Sequence, residues 1–199
     1  MMDRFGVIAP KSIVCAAAHF LFWPITLAQY SMYRLGWLHW YSQVFPLAPD
    51  YRDIFDRKHT DSYRGRVLLG GLPWPSSTQS RLLGQEHVSA VINLVSERNI
   101  KFPVERRLDI PLTDFAHPSA KDISPAVDFL DDCVREGRTV YVHCRAGKAR
   151  SATVVMCWLV SKLDCSPELA QEYLSRVRPQ ILSTLKNRDV VKHFIRPKN

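Results

Sequence analysis

Apolar positions in this chain fall into short blocks, and their lengths and flanking residues predict an alternating series of strands and helices. Thr139 to Val142 is β-branched and aromatic, the composition of a buried strand. Ser151 to Val160 carries no charge over ten residues, long enough for a buried helix despite its β-branched members. Gly147 and small residues lie between them, so the pattern predicts strand, tight loop and helix, with Cys144 at the strand end and Arg150 at the helix start. Upstream, Arg66 to Gly71 predicts a first strand ending at a glycine turn, and Pro75-Ser76-Ser77 opens a helix through about Glu86. Val88 to Leu94 and the shorter Arg107 to Pro111 predict two further strands. Ser124-Pro125 predicts a helix with proline at its first position, carrying Val127, Leu130 and Val134 and stopping at Gly137. Ser166-Pro167-Glu168 begins another helix that ends before Pro179, and Lys186-Asn187-Arg188-Asp189 starts a last one running to about Ile195. This alternation predicts an α/β fold, a mainly parallel central sheet with helices on both faces.

The N-terminal quarter has a different pattern. Ser12 to Tyr33 contains no Asp, Glu, Lys or Arg over 22 residues, and Asp3 is the only acidic residue before Asp50. Three arrangements fit it: an interfacial helix or helix pair on a membrane surface, a membrane span, or a helix packed on the following domain. Pro24, Gln29 and His19 disfavour a span, and no small-residue cleavage site follows a basic start. Peripheral attachment is the expectation, with Phe20, Phe22, Trp23, Leu27 and Tyr30 as the contacting side chains. Pro46 to Ser62 reads as a connector, which divides the chain into an extension, residues 1–62, and a folded domain, residues 63–199.

Composition narrows the partners. The chain has 199 residues, 46% of them hydrophobic, enough for a sizeable core, and a net charge of +8. That charge favours phosphorylated substrates and acidic lipid surfaces, whereas no motif for reading nucleic acid accompanies it. Arg106-Arg107 reads as a solvated basic face, with a hold on an anionic headgroup as the alternative. Five cysteines without zinc-ligand spacing fit thiols kept reduced and do not predict a metal site.

The chemistry concentrates in the predicted loop. A loop entering a helix aims successive backbone N–H groups at one spot, and the helix dipole adds positive potential there. Arg145, Ala146, Gly147, Lys148, Ala149 and Arg150 would form such a cradle for a phosphate. The Arg150 fork can grip two of its oxygens, while Arg145 and Lys148 shape the local potential and surface contacts. Cys144 lies in the same field, which favours a thiolate able to attack phosphorus. Ser151 could donate to that sulfur when it leaves, and His143 would orient the loop. A nucleotide-binding P-loop is excluded, because Lys148 is followed by Ala149 and Val142 occupies the position of its first glycine.

His143-Cys144, five residues, then Arg150-Ser151 resembles the signature of the protein tyrosine phosphatase superfamily. Asp114, placed 144 − 114 = 30 residues before Cys144 in a loop marked by His117-Pro118, resembles the mobile-loop general acid of dual-specificity phosphatases; Asp109 and Asp122 are the alternatives. Phe22-Trp23-Pro24-Ile25-Thr26-Leu27, Val67 to Pro73 and Val140 to Ser151 together resemble the mitochondrial phosphatidylglycerophosphate phosphatase family. Where that family carries an acidic, tyrosine-containing patch, this chain has Val95-Ser96-Glu97-Arg98. The resemblance implies a phosphocysteine mechanism with no metal or cofactor, an anionic phospholipid substrate, and a place at the matrix face of the inner mitochondrial membrane. Two other functions fit the loop, a phosphatase of phosphoproteins or phosphoinositides and a non-catalytic phosphate-binding module.

Overall fold

The computed structural model describes residues 11–52, 54–55, 60–97, 101–114 and 118–195. Its five strands are β1 (Tyr41–Phe45), β2 (Arg66–Gly70), β3 (Ala90–Asn93), β4 (Arg106–Asp109) and β5 (Thr139–His143). They form one sheet in the order β1-β2-β5-β3-β4, parallel except for β1, which runs antiparallel along β2. The helices are α1 (Lys11–Arg34), α2 (Ser76–Gly84), α3 (Ala120–Arg135), α4 (Arg150–Lys162), α5 (Pro167–Val177) and α6 (Asp189–His193).

β5 is central and buried on both faces, which is why it reads as an unbroken apolar run. Val140 and Val142 join Val67, Leu69, Ala90 and Ile92 in the large core under α3, α4 and α5, where Leu130, Trp158 and Leu174 are buried. Tyr141 turns to the other face and packs with Leu68, Val91, Phe102 and Leu82 of α2. Helices therefore cover both faces, as expected, and the period-two alternation of each strand decides which residue meets which layer.

The register lines up the ends of the parallel strands. His143 pairs with Gly70 on one side and Asn93 on the other, and Asn93 pairs with Asp109. The loops after β2, β3, β4 and β5 therefore leave the sheet from one row. That carboxyl edge is where open α/β sheets build their sites.

Several expectations need correction. The sheet begins before Tyr63, because β1 lies within the segment assigned to the extension, and the described residues of the connector after it include a short 3-10 turn at Pro49–Tyr51. α3 starts at Ala120, with Pro125 inside it, and not at Ser124-Pro125. A reciprocal capping box decides this: Ser119 accepts from the Asp122 N–H and the Asp122 carboxylate accepts from the Ser119 N–H, satisfying two end donors at once. The last predicted helix is a 3-10 turn, Leu185–Asn187, followed by the five-residue α6.

The N-terminal aromatic segment is one helix, α1, laid on the domain. Phe22 is 1% exposed against Leu72 and Val95, and Thr26 is buried beside it. Trp23 and Tyr30 meet Trp74 edge-on at 5.5 and 5.4 Å. Phe22, expected to touch a membrane, is thus unavailable to one, whereas Phe20 and Leu27 are exposed. No described helix is long and apolar enough to cross a membrane.

Candidate active site

Residues 144–149 turn sharply between β5 and α4, and the carbonyls of residues 145–148 are bonded to groups outside the loop. The Arg145 carbonyl accepts from Leu72 N–H at 3.0 Å, and the Ala146 carbonyl from the Tyr33 hydroxyl at 3.3 Å. The Gly147 carbonyl accepts from Arg178 Nε at 2.8 Å, and the Lys148 carbonyl from Leu182 N–H at 3.0 Å. A trans peptide sets its N–H opposite its C=O, so carbonyls held outward leave the following amides facing inward. The Gly147 N–H meets Cys144 Sγ at 3.2 Å in agreement with this. Gly147 has φ +65°, and a Cβ there would lie 2.4 Å from the Gly70 carbonyl carbon, so only glycine fits.

Cys144 is buried at the bottom of this cradle. Burial alone would raise its thiol pKa. The Arg150 charge, the Ser151 hydroxyl at 3.3 Å and the Ser151 and Gly147 amides outweigh burial and hold the pKa below the ordinary thiol value. The neighbouring His143 is also buried, and that burial pushes its pKa down to about 3, so its imidazole is neutral.

Arg150 is fixed by the loops at the sheet edge. Its Nη1 donates to the Leu112 carbonyl at 2.5 Å, the Leu94 carbonyl at 3.1 Å and Glu97 Oε2 at 3.2 Å. Its Nη2 lies 3.1 Å from Asp114 Oδ1. The other Asp114 oxygen pairs with Arg145, whose side chain is buried at the site and not turned to the surface. Glu97, its side chain 1% exposed, ties the arrangement together by also accepting from the Asp114 N–H at 2.8 Å. Lys148 and Ala149 sit half-buried at the rim.

The fold thus brings Cys144, Ser151, Arg150, Arg145 and Asp114 together with the loop amides. The two alternative aspartates lie elsewhere: Asp109 accepts from Arg107 and Asn93, and Asp122 caps α3. Arg106 and Arg107 are engaged with Glu136 and Asp109. His117 lies outside the described residues. Glu97, Arg178 and Tyr33 were not assigned a site role from the sequence. The signal for Glu97 was present as a lone acid four residues past Asn93, but nothing local marks Arg178 or Tyr33. Among the described residues no group of three or more His, Cys, Asp or Glu side chains could hold a metal ion.

The dual specificity phosphatase catalytic domain matches residues 73–194. The chain belongs to this family. It is 29% identical over 96% of its length, and 78% of the relative's, to phosphatidylglycerophosphate phosphatase PTPMT2 of Arabidopsis thaliana. It is 30% identical to phosphatidylglycerophosphatase and protein-tyrosine phosphatase 1 of Rattus norvegicus, covering 89% of each chain. The crystal structure of PTPMT1 in complex with PI(5)P superposes with a TM-score of 0.56 at 33% identity, covering 64% of this chain and 88% of that one. The family and fold expected from the signature loop and its flanking elements are therefore borne out, and the protein is a dual-specificity-type phosphatase of the phosphatidylglycerophosphate phosphatase branch.

Proposed function

We propose that this phosphatase hydrolyses the terminal phosphate of phosphatidylglycerophosphate through a phosphocysteine intermediate. The observation that carries the mechanism is the Cys144 thiol beneath inward amides, with Arg150 and Asp114 across from it. The phosphoryl group takes the cradle and competes with Asp114 for Arg150 and Arg145. Cys144 Sγ attacks phosphorus, the S–P bond forms, and the bond to the alcohol oxygen breaks. Asp114, displaced toward the leaving group, gives that oxygen its proton. Water then attacks the phosphocysteine, Asp114 takes a proton back, and Ser151 donates to the departing thiolate. The neutral His143 holds the strand end beneath the loop.

The lipid substrate is supported by the names of the relatives and by α1, which lies beside the site with Phe20 and Leu27 exposed. The net positive charge adds attraction to acidic lipid. We place the protein peripherally on the matrix face of the inner mitochondrial membrane on the strength of the family resemblance. A phosphoinositide is the second reading, favoured by the relative solved with PI(5)P. Release of phosphate from phosphatidylglycerophosphate vesicles, phosphoinositide vesicles and phosphopeptides, compared at equal enzyme, tests the assignment. A higher kcat/KM on phosphatidylglycerophosphate is expected, and preference for a phosphopeptide would overturn it. A Phe20→Ser/Leu27→Ser variant is expected to lose activity on vesicles while keeping it on a soluble aryl phosphate.

A further inference from the structure

Arg178 follows α5, immediately before Pro179, and is completely buried. A buried arginine usually faces a carboxylate, because an isolated charge in the interior is costly. Arg178 faces neutral acceptors on two sides. Nε donates to the Gly147 carbonyl at 2.8 Å and Nη2 to the Ala146 carbonyl at 3.3 Å. Nη1 donates to the His39 carbonyl at 3.1 Å and the Ser42 hydroxyl at 3.4 Å, and Nη2 reaches the Trp40 carbonyl at 3.5 Å. One planar fork thus joins the back of the catalytic loop to the chain entering β1. Tyr33, at the end of α1, adds a second grip on the Ala146 carbonyl and packs against Trp40, the two rings tilted at 49° with centroids 4.5 Å apart.

We propose that Arg178 is a positioning residue for the catalytic loop, holding the Ala146 and Gly147 carbonyls outward so that the Gly147 and Lys148 amides face the thiol. Its simultaneous hold on His39 and Trp40 makes residues 33–42 part of the catalytic unit, although they precede the matched family domain at residue 73. Gly147 has no Cβ at the point where one would stand 2.6 Å from Arg178 Nη2, so the two are fitted to each other. The Arg178 charge also couples electrostatically to the Cys144 thiol, which favours its ionised form. The inference rests on the reading of residues 144–150 as the phosphate cradle.

The test compares Arg178→Met, which removes charge and donors, with Arg178→Lys, which keeps the charge but cannot span both sides, and with Tyr33→Phe. Three quantities are measured: kcat/KM against pH on a soluble aryl phosphate, the pH dependence of Cys144 alkylation resolved by mass, and Tm. Arg178→Met is expected to lose about 10²-fold in kcat/KM, the scale of an ångström misplacement. Its alkylation limb should move up by about one pH unit as a nearby cation is lost. Arg178→Lys should lose rate with a smaller shift of that limb, and Tyr33→Phe should lose about 5-fold, the equivalent of one hydrogen bond. A merely structural Arg178 predicts a lower Tm with an unmoved alkylation limb and wild-type kcat/KM in the folded protein, and that result overturns the proposal. If Arg178→Met does not fold, wild-type behaviour of both Arg178→Lys and Tyr33→Phe overturns it equally. Failure of the cradle reading itself is distinct: the wild type would then show no depressed thiol and no turnover.

Discussion

Glu97→Gln probes the least expected member of the site. The wild-type carboxylate is buried, lies 3.2 Å from Arg150 Nη1 and accepts the Asp114 N–H at 2.8 Å. Glutamine keeps the shape and one acceptor, so Asp114 can retain its backbone bond, but the charge opposite Arg150 is lost. Breaking a buried pair costs about 3–5 kcal/mol; the low end applies here, because Arg150 keeps the Leu94 and Leu112 carbonyls. At about 2–4 °C per kcal/mol for a domain of this size, about 3 kcal/mol lowers Tm by about 6–12 °C. Arg150 also loses the charged anchor that ties it to the Asp114 loop, so kcat/KM on an aryl phosphate should fall by about 10²-fold. Glu97→Ala removes the acceptor as well and should be worse on both measures. Vanadate gives an independent reading: it supplies Arg150 with a new anionic partner, so it should raise the Tm of Glu97→Gln. A Glu97→Gln protein with Tm within about 2 °C and kcat/KM within about 2-fold of wild type would refute this account of a stabilising, orienting ion pair.

Gly147→Ala forces a left-handed alanine, costing about 1–2 kcal/mol before its clash with the Gly70 carbonyl, and should abolish turnover and weaken vanadate binding measured by tryptophan fluorescence. Cys144→Ser should release no phosphate yet still bind vanadate, since the amide cradle remains. His143, held neutral in the fold with a pKa of about 3 against the ordinary 6.5, binds its proton more readily unfolded. Its contribution to stability is therefore present above about pH 6.5 and is lost as pH falls toward about 3. His143→Gln should flatten the fall of unfolding free energy by about 1.4 kcal/mol per pH unit across that window, read from urea melts.

The catalytic loop was legible in the sequence because its chemistry is contiguous. Cys144, Gly147, Arg150 and Ser151 lie within eight residues, flanked by the apolar runs that make a buried strand and a buried helix. The α/β order was legible for the same reason, since each element carries its own period and end signals. Where two local signals competed, at Ser119 and Pro125, a reciprocal cap outweighed the proline preference, and no reading of either residue alone could rank them.

Other features depended on contacts between distant parts of the chain. Glu97 meets Arg150 across 53 positions, Arg178 meets Gly147 across 31, and Tyr33 meets Ala146 across 113. In one dimension each is an ordinary surface-type residue; burial in the fold is what makes its partner obligatory. The aromatic N-terminal segment shows the same limit. Phe22 looks alike in a sequence whether lipid or protein covers it, because the hydrophobic effect removes apolar surface from water without specifying what replaces the water. Tertiary packing placed Phe22 on Leu72 and Val95, left Phe20 and Leu27 outside, and brought Tyr33 against the catalytic loop.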